Sequence, residues 1–120
     1  MAFRFEQLEI WKEANLLIEK IYKASKKFPR DELFGLTSQL RRSASSISAN
    51  IAEGSGSESK KDFSHYLDIA IKSIYETVSH VYLAKEQKYI SEESRKQFYE
   101  DAEVLVKRIQ SFKKWLNRNL

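Results

Sequence analysis

The sequence predicts an all-α protein: an up-down-up-down antiparallel four-helix bundle that is oligomeric. Three observations carry this expectation. Apolar residues recur at three- and four-residue spacing in four separate stretches. The stretches are parted by short breaks that hold the one proline, the three glycines or a capping serine. No strand-like alternation of useful length occurs outside the first few residues. Amphipathic helices joined by short connections bury their stripes most simply by packing antiparallel around one core.

Phe3 and Phe5 alternate with charge and are expected to form a short strapped-down tail. From Gln7 to about Lys27, Trp11, Ala14, Ile18, Ile21, Tyr22 and Ser25 follow helical spacing, with Leu17 widening the stripe. Phe28-Pro29 ends this first helix, because the residue before a proline is pushed out of the helical region and the ring cannot continue the ladder. Asp31 to Gly35 then form a turn.

Leu36 to Gly54 reads as a second helix with three chemically different faces. Leu36, Leu40, Ala44, Ile47 and Ile51 fall within an arc of roughly 80°, a core-facing stripe. Gln39, Arg42, Ser46, Asn50 and Glu53 form a polar rail along its edge, where their hydrogen-bonding groups need partners. An interhelical network is expected there, Gln39, Arg42, Asn50 and Glu53 meeting Ser73 and Glu76 of the third helix. Ser38, Ser45, Ser48 and Ala52, with Arg41 among them, make a third face of small residues that lets another backbone come close.

Gly54-Ser55-Gly56 breaks the pattern, and Ser59 with Asp62 has the spacing of a cap for a third helix. Phe63, Leu67, Ala70, Ile74, Thr77, Val78 and Val81 form its stripe. Ile71, Tyr75 and Tyr82 form a second apolar row about 100° away. That row implies a further neighbour, most economically another copy of the chain, so Ser45, Ser48, Ala52, Ile71, Tyr75 and Tyr82 are the expected oligomer interface. Lys88-Tyr89-Ile90 closes the third helix, and Ser91 before Glu92 and Glu93 caps a fourth. There Phe98, Ala102, Leu105, Ile109, Phe112 and Leu116 make a heptad seam suited to shallow-angle packing.

With 120 residues, the chain is expected to be a single domain spanning residues 1–120. The absence of Cys, with 42% hydrophobic and 32% charged residues, suits a helical protein of the cytoplasm. The N-terminal stretch lacks the apolar centre of a signal peptide, and no apolar run approaches membrane-spanning length. The formal charge is +4. From Glu103 onward the bases are Lys107, Arg108, Lys113, Lys114 and Arg118 and the only acid is Glu103, so the excess sits at that end. With Arg41 and Arg42 these are the candidate contacts to a nucleic-acid backbone, although cations near a helix C-terminus also suit a plain solvated face.

Catalytic chemistry finds little footing. His65 and His80 lie some four turns apart on the third helix, and Glu76 with His80 is the nearest approach to a ligand pair. Gly54-Ser55-Gly56 lacks the rest of a phosphate loop and is preceded by a helix rather than a strand. Ser57-x-x-Lys60 lies in no strand-turn context. No metal, cofactor or enzymatic activity is expected.

Phe28-Pro29, Glu32, Phe34-Gly35-Leu36, Gln39-Leu40-Arg41-Arg42, Ser46-Ile47, Asn50-Ile51-Ala52-Glu53-Gly54, Phe63, Tyr66-Leu67, Ala70, Ser73 and Glu76 together resemble the four-helix bundle proteins of the 23S rRNA intervening-sequence (S23 ribosomal protein-like) family. Two positions depart from its pattern: Ser48 stands where proline usually follows Ser-Ile, and Lys72 where glycine commonly precedes Ser73. The resemblance implies a small bacterial protein, a barrel-shaped homopentamer and an unassigned biochemical role. A related group, the accessory proteins of diversity-generating retroelements, is similar in fold and binds nucleic acid through basic surface. The expected partners are therefore further copies of this chain, RNA or DNA, or another protein, and no membrane.

Overall fold

The computed structural model describes residues 3–118; Met1, Ala2, Asn119 and Leu120 lie outside them. Four helices follow in order: α1 Glu9–Ser25, α2 Leu36–Ser55, α3 Lys60–Glu86 and α4 Glu92–Arg118. The two longest have 27 residues each, and at 1.5 Å per residue they account for most of the 48 Å long axis of a body otherwise 24 by 21 Å across. No described helix is long and apolar enough to cross a membrane.

The helices form a ring in which α1 meets α2 and α4, and α3 meets α2 and α4. Among the described residues the diagonal pairs do not approach. Facing residues show that neighbours run antiparallel: Ser43 meets Thr77 and Ser46 meets Ser73 across α2 and α3. Likewise Asp68 meets Lys113 and Tyr82 meets Arg95 across α3 and α4, and Glu13 meets Arg108 while Lys20 meets Asp101 across α1 and α4. The stripes of all four helices converge on one core, whose largest fully buried side chains include Phe63, Ile21, Ile47, Ile51, Leu67, Ile74 and Ile109.

Several boundaries differ from the sequence expectation. The tail is a 3-10 turn over Arg4–Gln7, with Phe5 packed on Trp11 at 4.8 Å between ring centres. α1 is shorter at both ends than its periodicity suggests, and Tyr22 lies at its surface under Arg41 rather than in the core. Gly54 and Ser55 are not loop but the last turn of α2, both buried. The reason is close packing: a Cβ on Gly54 would sit 2.6 Å from Tyr66 Cβ and 3.0 Å from Phe63 Cδ1, so only glycine lets α2 and α3 approach at that level. Lys72 is exposed.

The second apolar row of α3 is largely met within the chain. In a ring of four, each helix touches two neighbours, so its buried arc is wider than one stripe. Ile71 and Val78 pack against the core, and Tyr82 lies beneath Arg95 of α4. Tyr75 stays 68% exposed. The small-residue face of α2 likewise has an intrachain neighbour at one point, since Arg41 reaches α1, donating from Nε to Ser25 Oγ at 2.8 Å.

Candidate functional site

Between α2 and α3 the polar rail becomes a ladder of short bonds. Asn50 Nδ2 donates to the Ser46 carbonyl at 2.8 Å and to Ser46 Oγ at 2.9 Å, and Ser46 Oγ shares a 3.0 Å bond with Ser73 Oγ. One turn further, Thr77 Oγ1 lies 2.8 Å from the Ser73 carbonyl and 2.9 Å from Ser43 Oγ. Its single proton can serve only one of them at a time, while Ser43 Oγ itself donates to the Leu40 carbonyl at 3.1 Å. Ser43, Ser73 and Thr77 are buried. A one-turn slip of either helix would strand these groups without partners, so the ladder ties the register of the pair.

Of the six residues the sequence assigns to this network, Asn50 and Ser73 are linked, each through Ser46 rather than to one another. Glu53 contacts α3 at another point: its charge, and the bond it accepts from Tyr66, hold the Tyr66 hydroxyl above its usual pKa. Glu76 instead faces His80 one turn along its own helix, Oε2 to Nε2 at 3.3 Å. Gln39 and Arg42 are exposed and join none of these bonds. Ser43 and Thr77 were missing from the expected set. Ser43 lies beside the apolar stripe and Thr77 within it, where a hydroxyl is easily taken for a filler of the core.

The basic candidates separate into two groups. Arg41 stacks 5.0 Å over the Tyr22 ring and bonds Ser25, Arg108 donates to Glu13 at 2.8 Å, and Lys113 pairs with Asp68. Those three charges are engaged inside the chain. Arg42, Lys107, Lys114 and Arg118 are exposed and take part in none of the described ion pairs. Lys107, Lys114 and Arg118, at i, i+7 and i+11, share one outward stripe of α4.

The expected interface residues are also divided. Ser45, Ser48, Ala52 and Ile71 are half-buried, and Ser45 Oγ donates to the Arg42 carbonyl of its own helix. Tyr82 accepts a 2.9 Å bond from Arg95, whose guanidinium lies 4.7 Å from the ring centre. Arg95 is clamped in turn by both carboxylate oxygens of Glu92 at 2.8 and 2.9 Å, which holds Glu92 below its ordinary pKa. Tyr75 borders an apolar groove of about 210 Å³ between α3 and α4, lined by Ile74, Val78, Tyr99, Ala102 and Val106, with Glu103 the one charged lining residue. Arg95 and Tyr99 were not singled out from the sequence. Their i, i+4 spacing places them on one face, but only the tertiary fold brings Tyr82 against both.

Among the described residues no group of three or more His, Asp or Glu side chains comes together in a metal-holding arrangement. The four-helix ring up to the last turns of α4, the α2 and α3 ladder and the Asn-Ile-Ala-Glu-Gly run ending beside Tyr66 lie within a single match: the family model for the 23S rRNA-intervening sequence protein covers residues 6–111. The chain belongs to that family.

One solved member shows how far the likeness extends. A protein of unknown function from the S23 ribosomal protein family of Bacteroides thetaiotaomicron VPI-5482 is 27% identical, with a TM-score of 0.80 over 88% of this chain and 98% of the other. The fold of this intervening-sequence protein is therefore that of its family across nearly its whole length. No curated protein matches it.

Proposed function

We propose that this intervening-sequence family protein is a non-enzymatic interaction or scaffold protein acting as a homo-oligomer, with five copies as the family resemblance implies. The observation that carries this is the groove between α3 and α4. Tyr75 stands 68% exposed at its edge and Tyr99 41% exposed across it, on a protein whose other long-helix apolar residues mostly turn inward. Large aromatic side chains beside an apolar groove are typical anchors of protein contacts, and a second copy of the chain is the occupant that supplies matching surface at matching concentration. Sedimentation velocity at micromolar concentration is expected to give a mass of several chains. Tyr75→Asp, which changes no core contact, is expected to shift it toward one chain. A native protein that sediments as a monomer would overturn the proposal.

A second reading is supported by the outward stripe of Lys107, Lys114 and Arg118: contact with an RNA or DNA backbone, multiplied by assembly. Each subunit would bind weakly and without base preference. A shift assay repeated at rising salt should show affinity falling steeply; affinity indifferent to salt would contradict this reading.

A further inference from the structure

Two apolar grooves flank α4. One is the groove of Tyr75 and Tyr99 on the α3 side; the other, on the α1 side and also about 210 Å³, is lined by Leu16, Leu17, Val104 and Leu105. Leu16 is 59% and Val104 51% exposed. The pair Lys20 and Asp101 and the pair Glu13 and Arg108 line the same groove. In both of these pairs the cation is the outer partner: Lys20 is 56% exposed against 26% for Asp101, and Arg108 59% against 28% for Glu13. On the α3 side the order is reversed, since Asp68 is more exposed than Lys113 and Glu92 more than Arg95. Glu103, exposed at the Tyr75 groove, takes part in none of the described ion pairs. One side of α4 therefore turns acids outward around an apolar centre and the other turns cations outward around another. The two grooves also lie at nearly one height, lined by α4 residues 99–106 and 101–108, an offset of about 3 Å at the helical rise.

We propose that the two grooves are the two halves of one interface, the α3/α4 side of each copy seated on the α1/α4 side of the next. This rests on the self-association proposed for the chain and names its surfaces. Opposite charges then meet around two apolar centres, whereas a two-fold contact of the Tyr75 groove with itself would bring like acids together and leave Leu16 and Val104 in water. A side of the body, 48 Å long and 21 to 24 Å wide, can supply the roughly 800 Å² that each partner of a stable interface buries. Contact between unlike patches repeats the same turn at every step, and it closes when there is no climb along the axis. Patches at one height on adjacent sides of a bundle meet both conditions, so the product is a small closed ring rather than a filament. The α4 helix of every copy faces the axis of that ring. Its stripe of Lys107, Lys114 and Arg118, which lies between the two grooves, is then on the inner wall.

Sedimentation velocity of two single-face variants, alone and mixed, provides the test. Tyr75→Asp blocks the α3/α4 side and Leu16→Asp the α1/α4 side. Each alone is expected to sediment as one chain. An equimolar mixture is expected to give a species of two chains, because each variant keeps the face the other lacks and the joined pair can grow no further. Val104→Asp, at an exposed position on the same groove, replaces Leu16→Asp should that variant fail to fold by circular dichroism. A Leu16→Asp protein that assembles like the native one, or a mixture that stays at one chain, would overturn the proposal while leaving self-association standing. A native protein that sediments as a monomer would overturn self-association itself, and this interface with it.

Discussion

At Gly54 the α2 backbone passes so close to α3 that Tyr66 Cβ, an atom fixed to its own backbone, occupies the space a side chain would need. Gly54→Ala improves helix propensity by about 1 kcal/mol but must force the helices apart, at about 1–3 kcal/mol for an overpacked site. The expected result is a net loss of about 1 kcal/mol in urea denaturation, opposite in sign to the propensity effect alone. Glu32 works differently, through two bonds: Oε1 accepts from the Leu36 amide at 3.1 Å and Oε2 from the Tyr89 hydroxyl at 2.8 Å, joining the turn before α2 to the end of α3. The backbone bond first, and the tyrosine second, hold its carboxyl below the ordinary 4.5. A carboxyl with a lowered folded pKa lends stability that is complete above its unfolded value and drains away as pH falls through the folded one. Glu32→Gln should therefore melt below the native protein at pH 7, and the gap should narrow as pH is taken from about 5 to 3. A gap constant over that range would show that the charge is irrelevant.

The helix ends and contacts show which local signals matter. Ser59 Oγ accepts the Asp62 amide at 3.1 Å, and Ser91 Oγ the Ser94 amide at 3.0 Å, as the capping pattern predicts. The end of α3 is less favourable. Lys88 adopts φ 66°, its amide bonding the Lys85 carbonyl while the Tyr89 amide bonds that of Ala84. This is the left-handed termination that glycine usually supplies. Lys88→Gly is expected to stabilise the protein by about 1 kcal/mol, seen as a raised urea midpoint with an unchanged slope. Along α2 and α3, Asn50→Ala removes two bonds to Ser46 and should cost about 1 kcal/mol in the same assay. No change in melting temperature would mean the ladder contributes nothing to holding the pair.

For the whole molecule, the ring of four explains why α3 carries two apolar rows without a second copy being needed for both. Phe34, Leu16 and Val104 are exposed elsewhere on the molecule, while of that second row Tyr75 is left most outward, beside Tyr99 and their groove. If copies associate there, folding is linked to assembly, and the melting temperature of the native protein should climb with protein concentration while that of Tyr75→Asp stays flat. The charge pattern has the same two-level character. Arg108 and Lys113 sit in the basic C-terminal stretch, yet they face Glu13 and Asp68 across helix boundaries, so the outward charge there is less than composition suggests.

Four helices, their breaks at Pro29, Gly56 and Ser91, and the stripes that form the core were legible from residue order. Periodicity and capping act between residues a turn or less apart, and those are neighbours in sequence. The family resemblance was legible in residue order too, carried by motifs from Phe28 to Glu76 with the Asn50 to Gly54 run at their centre. Tertiary structure alone decided that Gly54 is a packing residue inside a helix, that Arg95 lies over Tyr82, that the Lys60 ammonium is buried, and that Ile71 packs against the core. Each depends on which surface comes opposite. An apolar row looks the same in sequence whether a neighbouring helix of the chain or another molecule covers it, and a charge looks the same whether it meets an acid or water.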